Sequence, residues 1–303
     1  MKTFRQALQS QELTLTAELT LTPTLNAADI VSQAQALAVV TDAIQVPDQR
    51  YALPHISNIA TAAHLMQADI DPILHMNCRD RNRIALQSDL LSAHSFGVSN
   101  LLIMRGSKLP PEHVPKATSS YDYGAIDLIR TAAAVRDGEV FTGEKLPDVR
   151  DFYIGTIGTA FNPEATWEPE KLITKADAGA QFVQLQICLN IDVLKEYMAR
   201  LVAAKLIWRY QVLVSIPVLR SAEDARLLRN HLQQSIIPRA IVKRIEQAND
   251  PEQEGVNICA EQLDALEDVP GVSGATLLTP GDPALIIAAV EAFRARSDIA
   301  HVT

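Results

Sequence analysis

"LTLTAELTLT", from Leu13 to Thr22, alternates without a break. Leu13, Leu15, Ala17, Leu19 and Leu21 are apolar; Thr14, Thr16, Glu18, Thr20 and Thr22 are polar. A period of two is the signature of a β-strand with one apolar and one polar face. Two later segments repeat the pattern. Leu74, Met76 and Cys78 alternate with His75, Asn77 and Arg79. Val183, Leu185, Ile187 and Leu189 alternate with Gln184, Gln186, Cys188 and Asn190. Which way these polar faces point decides the fold.

The segments between strand patterns are helical in pattern. After Pro23, Asn26 is placed to cap a helix in which Ala27, Ile30, Ala34 and Leu37 recur at helical spacing. "LAVVTDAI", "DPILHMNC", "SNLLIMRGS", "DFYIGTIGTAF", "QFVQLQICLN", "YQVLVSIPVL" and "GVSGATLLT" read as strands two to eight, each preceded by a helix pattern. Eight strand-then-helix units without a linker imply one parallel sheet, and eight such units close into a barrel. The expectation is an α/β chain, residues 1–303, forming a single (β/α)8 TIM barrel. The surplus length falls in the Lys108–Ser120 loop and in extra helices before the eighth strand. Helices cover the outside of such a barrel, so polar strand residues must point into its lumen. The competing arrangement, an open antiparallel sheet with one solvated face, needs hairpins where the sequence has helix patterns.

Composition bounds the chemistry. The 303 residues are 48% hydrophobic, with 36 acidic and 27 basic side chains and a net charge of −9. That balance disfavours nucleic acid as a partner. No apolar run approaches a membrane span, and the first residues carry no signal-peptide core, so a cytoplasmic location is expected. Cys78, Cys188 and Cys259 read as reduced, buried thiols. There is no P-loop, no G-x-G-x-x-G, no G-x-S-x-G and no paired-histidine or C-x-x-C motif, so no metal site is expected.

In such barrels, strand C-terminal ends line the mouth where chemistry occurs. That selects Glu18, Thr41, Asp42, Asn77, Arg79, Arg105, Ser107, Thr159, Gln186 and Asn190. Glu18 is the only acid on its strand. Enclosed by threonines and apolar groups, its carboxyl is expected to titrate high, as suits a general acid. The alternative is a structural ion pair with Arg79 or Arg105. His75 reads equally as a hydrogen-bonded lumen residue or a cofactor contact. Within "CRDRNR", Asp80 is a candidate helix cap, and Arg81 and Arg83 read as solvated. Trp167 and Trp208 read as packing residues. "MRGS" ends strand four in a small-residue turn whose N–H groups can approach a phosphate or ring carbonyl.

"AELTLTP", "LPHISNIATAAHLM", "LHMNCRDRNRIALQSDLLSAHSFGVSNLLIMRGS", "EKLITKADAGAQFVQLQICLN" and "GVNICAEQLDALEDVPGVSGA" together resemble the methylenetetrahydrofolate reductase family, in its short, single-domain bacterial form. The resemblance runs from about Glu12 to Val290. It implies a TIM barrel holding FAD in its mouth. NAD(P)H would reduce the flavin, and the flavin would reduce 5,10-methylenetetrahydrofolate to 5-methyltetrahydrofolate, a step of one-carbon metabolism toward methionine. It places Glu18 as the proton donor and Gln186 as the pterin anchor. Thr41, His75, Met104, Arg105 and Gly106 fall on flavin-contacting positions, and Lys175 falls near the flavin phosphates. Asn77 and Arg79 join the substrate set; Ser107 and Phe161 join the cofactor set. The implied partner is a small-molecule folate, with homo-oligomerisation open.

The departures define two alternatives. Ser107 stands where typical members have Asp, Phe161 where they have Tyr, and Thr174 where they have a basic residue. The aromatics expected after Glu18 and Gln186 are replaced by Leu19, Ile187 and Cys188, and "ATLLTPGD" lacks the strand-eight signature. One alternative is direct hydride transfer from NAD(P)H to the folate without flavin. The other is a non-redox folate-binding or accessory subunit.

Overall fold

In the computed structural model of the chain, the described residues are 3–10, 12–109, 116–140, 142–146, 151–232 and 234–300; the side chains of residues 51, 231 and 297–300 are left aside. Eight parallel strands follow one another around a closed barrel: β1 (Thr14–Glu18), β2 (Ala43–Val46), β3 (Pro72–Asn77), β4 (Asn100–Met104), β5 (Tyr153–Gly158), β6 (Phe182–Leu185), β7 (Gln211–Pro217) and β8 (Gly274–Leu278). β1 closes the ring by pairing with β2 on one side and β8 on the other. The strand alternation therefore reads as lumen against helix layer, as expected, and the antiparallel alternative is excluded.

The helices are α1 (Phe4–Ala7), α2 (Ala27–Ala38), α3 (Asn58–Gln67), α4 (Arg83–Phe96), α5 (Ala125–Arg136), α6 (Glu170–Asp177), α7 (Ile191–Ala203), α8 (Ala222–His231), α9 (Arg239–Gln247), α10 (Pro251–Glu267) and α11 (Ala284–Ala300). Their ends follow from sequence chemistry. Asn26 and Asp29 form a reciprocal capping box at the start of α2. Asn82, not Asp80, caps α4, and Gly97 at φ 85° ends it. Asp250 caps α10, with Pro251 in its first turn. The last helix buries Ile286, Ala289, Val290 and Phe293 against the barrel, as its spacing indicates.

Two readings need correction. The segment "LAVVTDAI" is not a single strand: Leu37 and Ala38 still belong to α2, and β2 runs only from Ala43 to Val46. β-branched residues next to a helix end produced a false strand start. The sequence also reads "SAEDARLLRNHL" as the helix behind β7, and that assignment needs correction. α10, with seven buried residues, packs on β7, β8 and α11, whereas α8 and α9 pack on each other and α9 also lies against α10. The insertion before the eighth strand is therefore the α8–α9 pair, placed between β7 and its covering helix. Residues 110–115 of the Lys108–Ser120 loop lie outside the described residues.

The lumen is layered. Its N-terminal end is apolar: Ala43, Ile73, Leu102, Tyr153, Phe182 and Leu213 pack with Phe4 and Leu8 of the α1 segment. The Phe4 ring sits edge-on to Phe182 at 5.3 Å, and the Phe4 N–H donates to Asp71 at 3.0 Å. Gly155 makes room for this plug, since a Cβ there would lie 2.1 Å from the Phe182 ring. Above it comes a polar layer, and the mouth lies above that.

Candidate active site

The polar layer draws one residue from each of six strands. The Gln45 side-chain amide of β2 crosses the lumen: its Nε2 donates to Gln184 Oε1 of β6 at 2.8 Å, and lies 3.0 Å from Thr16 Oγ1 and 2.9 Å from Thr276 Oγ1. Gln184 Nε2 in turn donates to Ser215 Oγ at 3.2 Å. His75 Nε2 is 2.9 Å from Gln45 Oε1, an acceptor, so the network assigns the ring proton to Nε2. Burial, reinforced by the nearby Arg50 cation, holds the His75 pKa down to about 3. The imidazole is therefore neutral at pH 7. The structure places His75 as a hydrogen-bonded residue of the lumen.

Glu18 stands on the same face of β1 as Thr16, one step nearer the mouth, and is 7% exposed. Its Oε1 lies 2.5 Å from Arg50 Nη1. The partner is thus neither Arg79 nor Arg105 but a residue from the β2–α3 connection. That connection carries left-handed backbone at Gln49 (φ 41°) and Ala52 (φ 62°). Desolvation raises the Glu18 pKa, and Arg50 opposes it without cancelling it. A carboxyl that holds its proton in this way can deliver it. Gln186, one residue beyond β6, anchors its N–H on Gly158 O at 3.0 Å. Its side-chain Oε1 is buried and has no hydrogen-bond partner among the described residues. An orphaned buried acceptor calls for a donor from elsewhere.

The other expected site residues are less free. Asn77 is absorbed by Asp48: its N–H donates to Asp48 Oδ2 at 2.7 Å and its Nδ2 to Asp48 O at 3.0 Å. Arg79 forks onto Asp80, at 2.6 and 2.7 Å, and reaches Gln49 O at 3.1 Å. Arg81, expected in solvent, bridges the buried Asp48 and Asp89. Arg83 pairs with Asp122 at 2.7 Å. Asn190 is the N-cap of α7 and does not face the lumen, because β6 ends at Leu185. Asp42 accepts from the Leu15 N–H before β2 begins. Thr159 donates to Gln234 Oε1 at 2.7 Å.

The flavin set implied by the resemblance does not assemble. Thr41 precedes β2, at the N-terminal end of the barrel, and its hydroxyl closes α2 on Leu37 O. Its placement at the mouth is a correction that follows from the shorter strand. Lys175 Nζ donates to Ile157 O at 2.7 Å, and burial, with Lys171 nearby, lowers its pKa to about 8. Arg105 stacks over Tyr121 at 4.4 Å. Ser107 O accepts from the Tyr121 hydroxyl at 2.9 Å. Gly106 adopts φ +83°, and a Cβ there would lie 3.0 Å from Arg79 Cβ and 3.2 Å from Asn77 Oδ1, which accounts for the glycine. Phe161 belongs to a cluster with Trp167 at 5.0 Å and Tyr197 at 5.5 Å. Trp208 is instead 84% exposed. With Thr41 at the wrong end, and His75 and Lys175 already hydrogen-bonded within the chain, the residues present do not fit a flavin dinucleotide; Met104, half-buried at the end of β4, is the expected contact left nearest the lumen.

Sequence reasoning missed Gln45, Asp48 and Arg50. Their signal was present in "IQVPDQR", where Gln45, Asp48 and Arg50 follow a strand, but the misplaced strand start assigned β2's end to Thr41 and Asp42.

Comparison with known proteins follows the fold. Residues 3–279 match the family described as methylenetetrahydrofolate reductase. No curated protein matches the chain by sequence. A Clostridium thermocellum protein described as binding two copies of 5-methyl-5,6,7,8-tetrahydrofolic acid superposes with a TM-score of 0.67 at 12% identity, over 99% of this chain and 100% of its own. DmoA from Hyphomicrobium sulfonivorans gives 0.53 at 8% identity, over 92% of this chain and 85% of its own. The EDTA monooxygenase EmoA from Chelativorans sp. BNC1 gives 0.50 at 13% identity, over 94% of both chains. At these identities the three structures share the barrel.

Proposed function

The chain belongs to the methylenetetrahydrofolate reductase family, and from that premise we propose that its barrel mouth binds a reduced folate and reduces 5,10-methylenetetrahydrofolate to 5-methyltetrahydrofolate. The observation that carries this reading is Glu18, a buried carboxyl whose pKa desolvation raises against the pull of Arg50, at the mouth of a lumen floored by neutral hydrogen-bonding groups. Gln186 Oε1, buried without a partner, accepts from the N–H groups of the pterin. Entry of the folate displaces Arg50 from Glu18. The Glu18 proton passes to the bridging nitrogen N10 of the folate, and the bond from the methylene carbon to N10 breaks, leaving an N5 iminium. A hydride then adds to the methylene carbon and yields the N5-methyl group. Glu18 recovers its proton from solvent.

The hydride and its electron pair come from a reduced nicotinamide, NADH or NADPH, which leaves oxidised. Because the residues present do not fit FAD, the hydride passes directly from nicotinamide to folate. A second reading, folate binding without turnover, is favoured by the Clostridium thermocellum neighbour, whose description mentions binding alone.

Glu18→Gln tests both. The amide keeps the size of the carboxyl and cannot act as an acid. With NADH or NADPH and methylenetetrahydrofolate, and no added flavin, turnover is expected to fall about 10²–10⁴-fold, the usual contribution of a general acid. Unchanged turnover removes Glu18 from the reaction. Folate binding with no turnover in the wild-type protein selects the second reading.

A further inference from the structure

The β2–α3 connection brings Arg50 to Glu18 in a backbone conformation that has to be held. Gln49, immediately before Arg50, is left-handed at φ 41° and ψ 56°. Ala52, two residues after Arg50, is left-handed at φ 62°. Residues other than glycine adopt this region at a cost and keep it only where their surroundings fix them. Both backbone groups of Gln49 are fixed. Its carbonyl accepts from Arg79 Nη2 at 3.1 Å and from the Ala52 N–H at 2.9 Å. Its N–H donates to His55 Nε2 at 3.1 Å. His55 Nδ1 lies 2.6 Å from Ile56 O, an acceptor, so the network assigns the ring proton to Nδ1 and leaves Nε2 the lone pair that Gln49 uses. A second proton, on Nε2, would set two N–H groups against each other. The charged groups around the connection are engaged with one another. Arg50 meets Glu18 at 2.5 Å, Arg81 holds both Asp48 and Asp89, and Arg79 meets Asp80. His55 takes part in no ion pair among the described residues; burial lowers its pKa, and the Ile56 carbonyl opposes this. What His55 gives the connection is an acceptor, not a charge.

We propose that His55 is a positioning residue for the acid: by holding the Gln49 N–H, it sets the turn that presents Arg50 to Glu18. For its part in turnover the inference rests on the reading of Glu18 as the proton donor; the contact itself is made without substrate. Loss of the acceptor lets the left-handed turn relax toward ordinary backbone angles. Arg50 then withdraws, and Glu18 loses the cation that opposes its desolvation. Protonation of His55 at acid pH has the same effect as removing its lone pair. The connection is thus a pinned strap over the acid, with the pin at His55 and the working group at Arg50.

The test uses the whole chain without substrate. His55→Leu removes the acceptor and keeps the bulk; His55→Gln offers an oxygen near the Nε2 position and does not titrate. The Glu18 carboxyl is titrated by infrared difference, each protein against its own Glu18→Gln form. In His55→Leu the midpoint is expected to move upward by up to about one pH unit, the scale of a nearby opposite charge. Combined with Arg50→Gln, His55→Leu should add little to the shift that Arg50→Gln gives alone. His55→Gln should restore the wild-type midpoint. Amide exchange at Gln49 gives a second reading. In the wild type its protection should fall as the solution is acidified through the His55 titration, and in His55→Gln it should persist. An unmoved midpoint in His55→Leu, or a shift that adds in full to that of Arg50→Gln, overturns the inference. Equal pH dependence of Gln49 exchange in the wild type and His55→Gln also overturns it, and decides the matter should His55→Leu not fold. A shifted midpoint in a protein that does not turn over methylenetetrahydrofolate leaves the pin in place and overturns the proposed function alone.

Discussion

Asp48→Asn isolates the electrostatic cost of the mouth. Asp48 sits just past β2, and one of its buried oxygens, Oδ1, has no hydrogen-bond partner among the described residues. Burial, with Asp80 and Asp89 nearby, outweighs Arg81 and the Asn77 N–H, and lifts the carboxyl from 3.8 to about 6. A proton bound about two pH units more tightly in the folded chain is worth about 3 kcal/mol. The native state binds that proton between about pH 4 and pH 6 while the unfolded chain has released it. The contribution is therefore fully present below pH 4 and is lost as pH rises through 6. Asparagine keeps an acceptor for the Asn77 N–H and cannot ionise; Arg81 retains Asp89. The stability of the variant relative to the wild type is expected to rise by about 3 kcal/mol between pH 4 and pH 7, read from urea unfolding of both proteins at each pH. Parallel pH curves would refute the reasoning. So would a variant that loses ground at pH 7, since that would mean the Arg81 contact holds Asp48 ionised at little cost.

Two other perturbations bear on the same frame. Arg50→Gln removes the cation that partly opposes the burial of Glu18. The acid of the free protein then holds its proton to higher pH, so the alkaline limb of the kcat/KM profile is expected to move upward, and Glu18→Gln should lack that limb. A limb that stays in place in Arg50→Gln separates the two residues. Phe4→Ala empties the plug at the N-terminal end of the lumen, where Phe4 is fully buried against Phe182 and Tyr153. A loss of about 3–5 kcal/mol is expected in denaturant unfolding, and a loss below about 1 kcal/mol would show that α1 does not close the barrel.

The barrel was legible because its signal is redundant. Strand-helix alternation recurs eight times, and the polar stripes of β1, β3 and β6 each required an enclosed lumen. The site was legible only in part. Glu18 and Gln186 lie on or just past strands whose registers are unambiguous; Glu18 proves to be buried at the C-terminal end, and Gln186, half-buried, turns a buried Oε1 inward. Thr41 and Asp42 failed because Val39 and Val40, at the end of α2, look like strand residues; local β propensity yields to the helix that precedes it. Asn77 and Arg79 lie in the expected place, but alternation says nothing of Asp48 and Asp80, which occupy their polar atoms. Pairings such as Glu18 with Arg50 join a strand end to a distant loop, and no spacing along the chain encodes them.

The charge layout of the lumen bears on what the site can recognise. The layer beneath Glu18 is made of two amides, three hydroxyls and an imidazole held neutral, and it satisfies itself internally. Such a floor carries no net charge to attract a polyanion, and the cations that could do so are already placed against Asp80, against Ile157 O or over Tyr121. On the proposed function, a neutral heterocycle rich in N–H groups would meet a different surface, with an orphaned acceptor at Gln186 and an acid at Glu18 above an undisturbed floor.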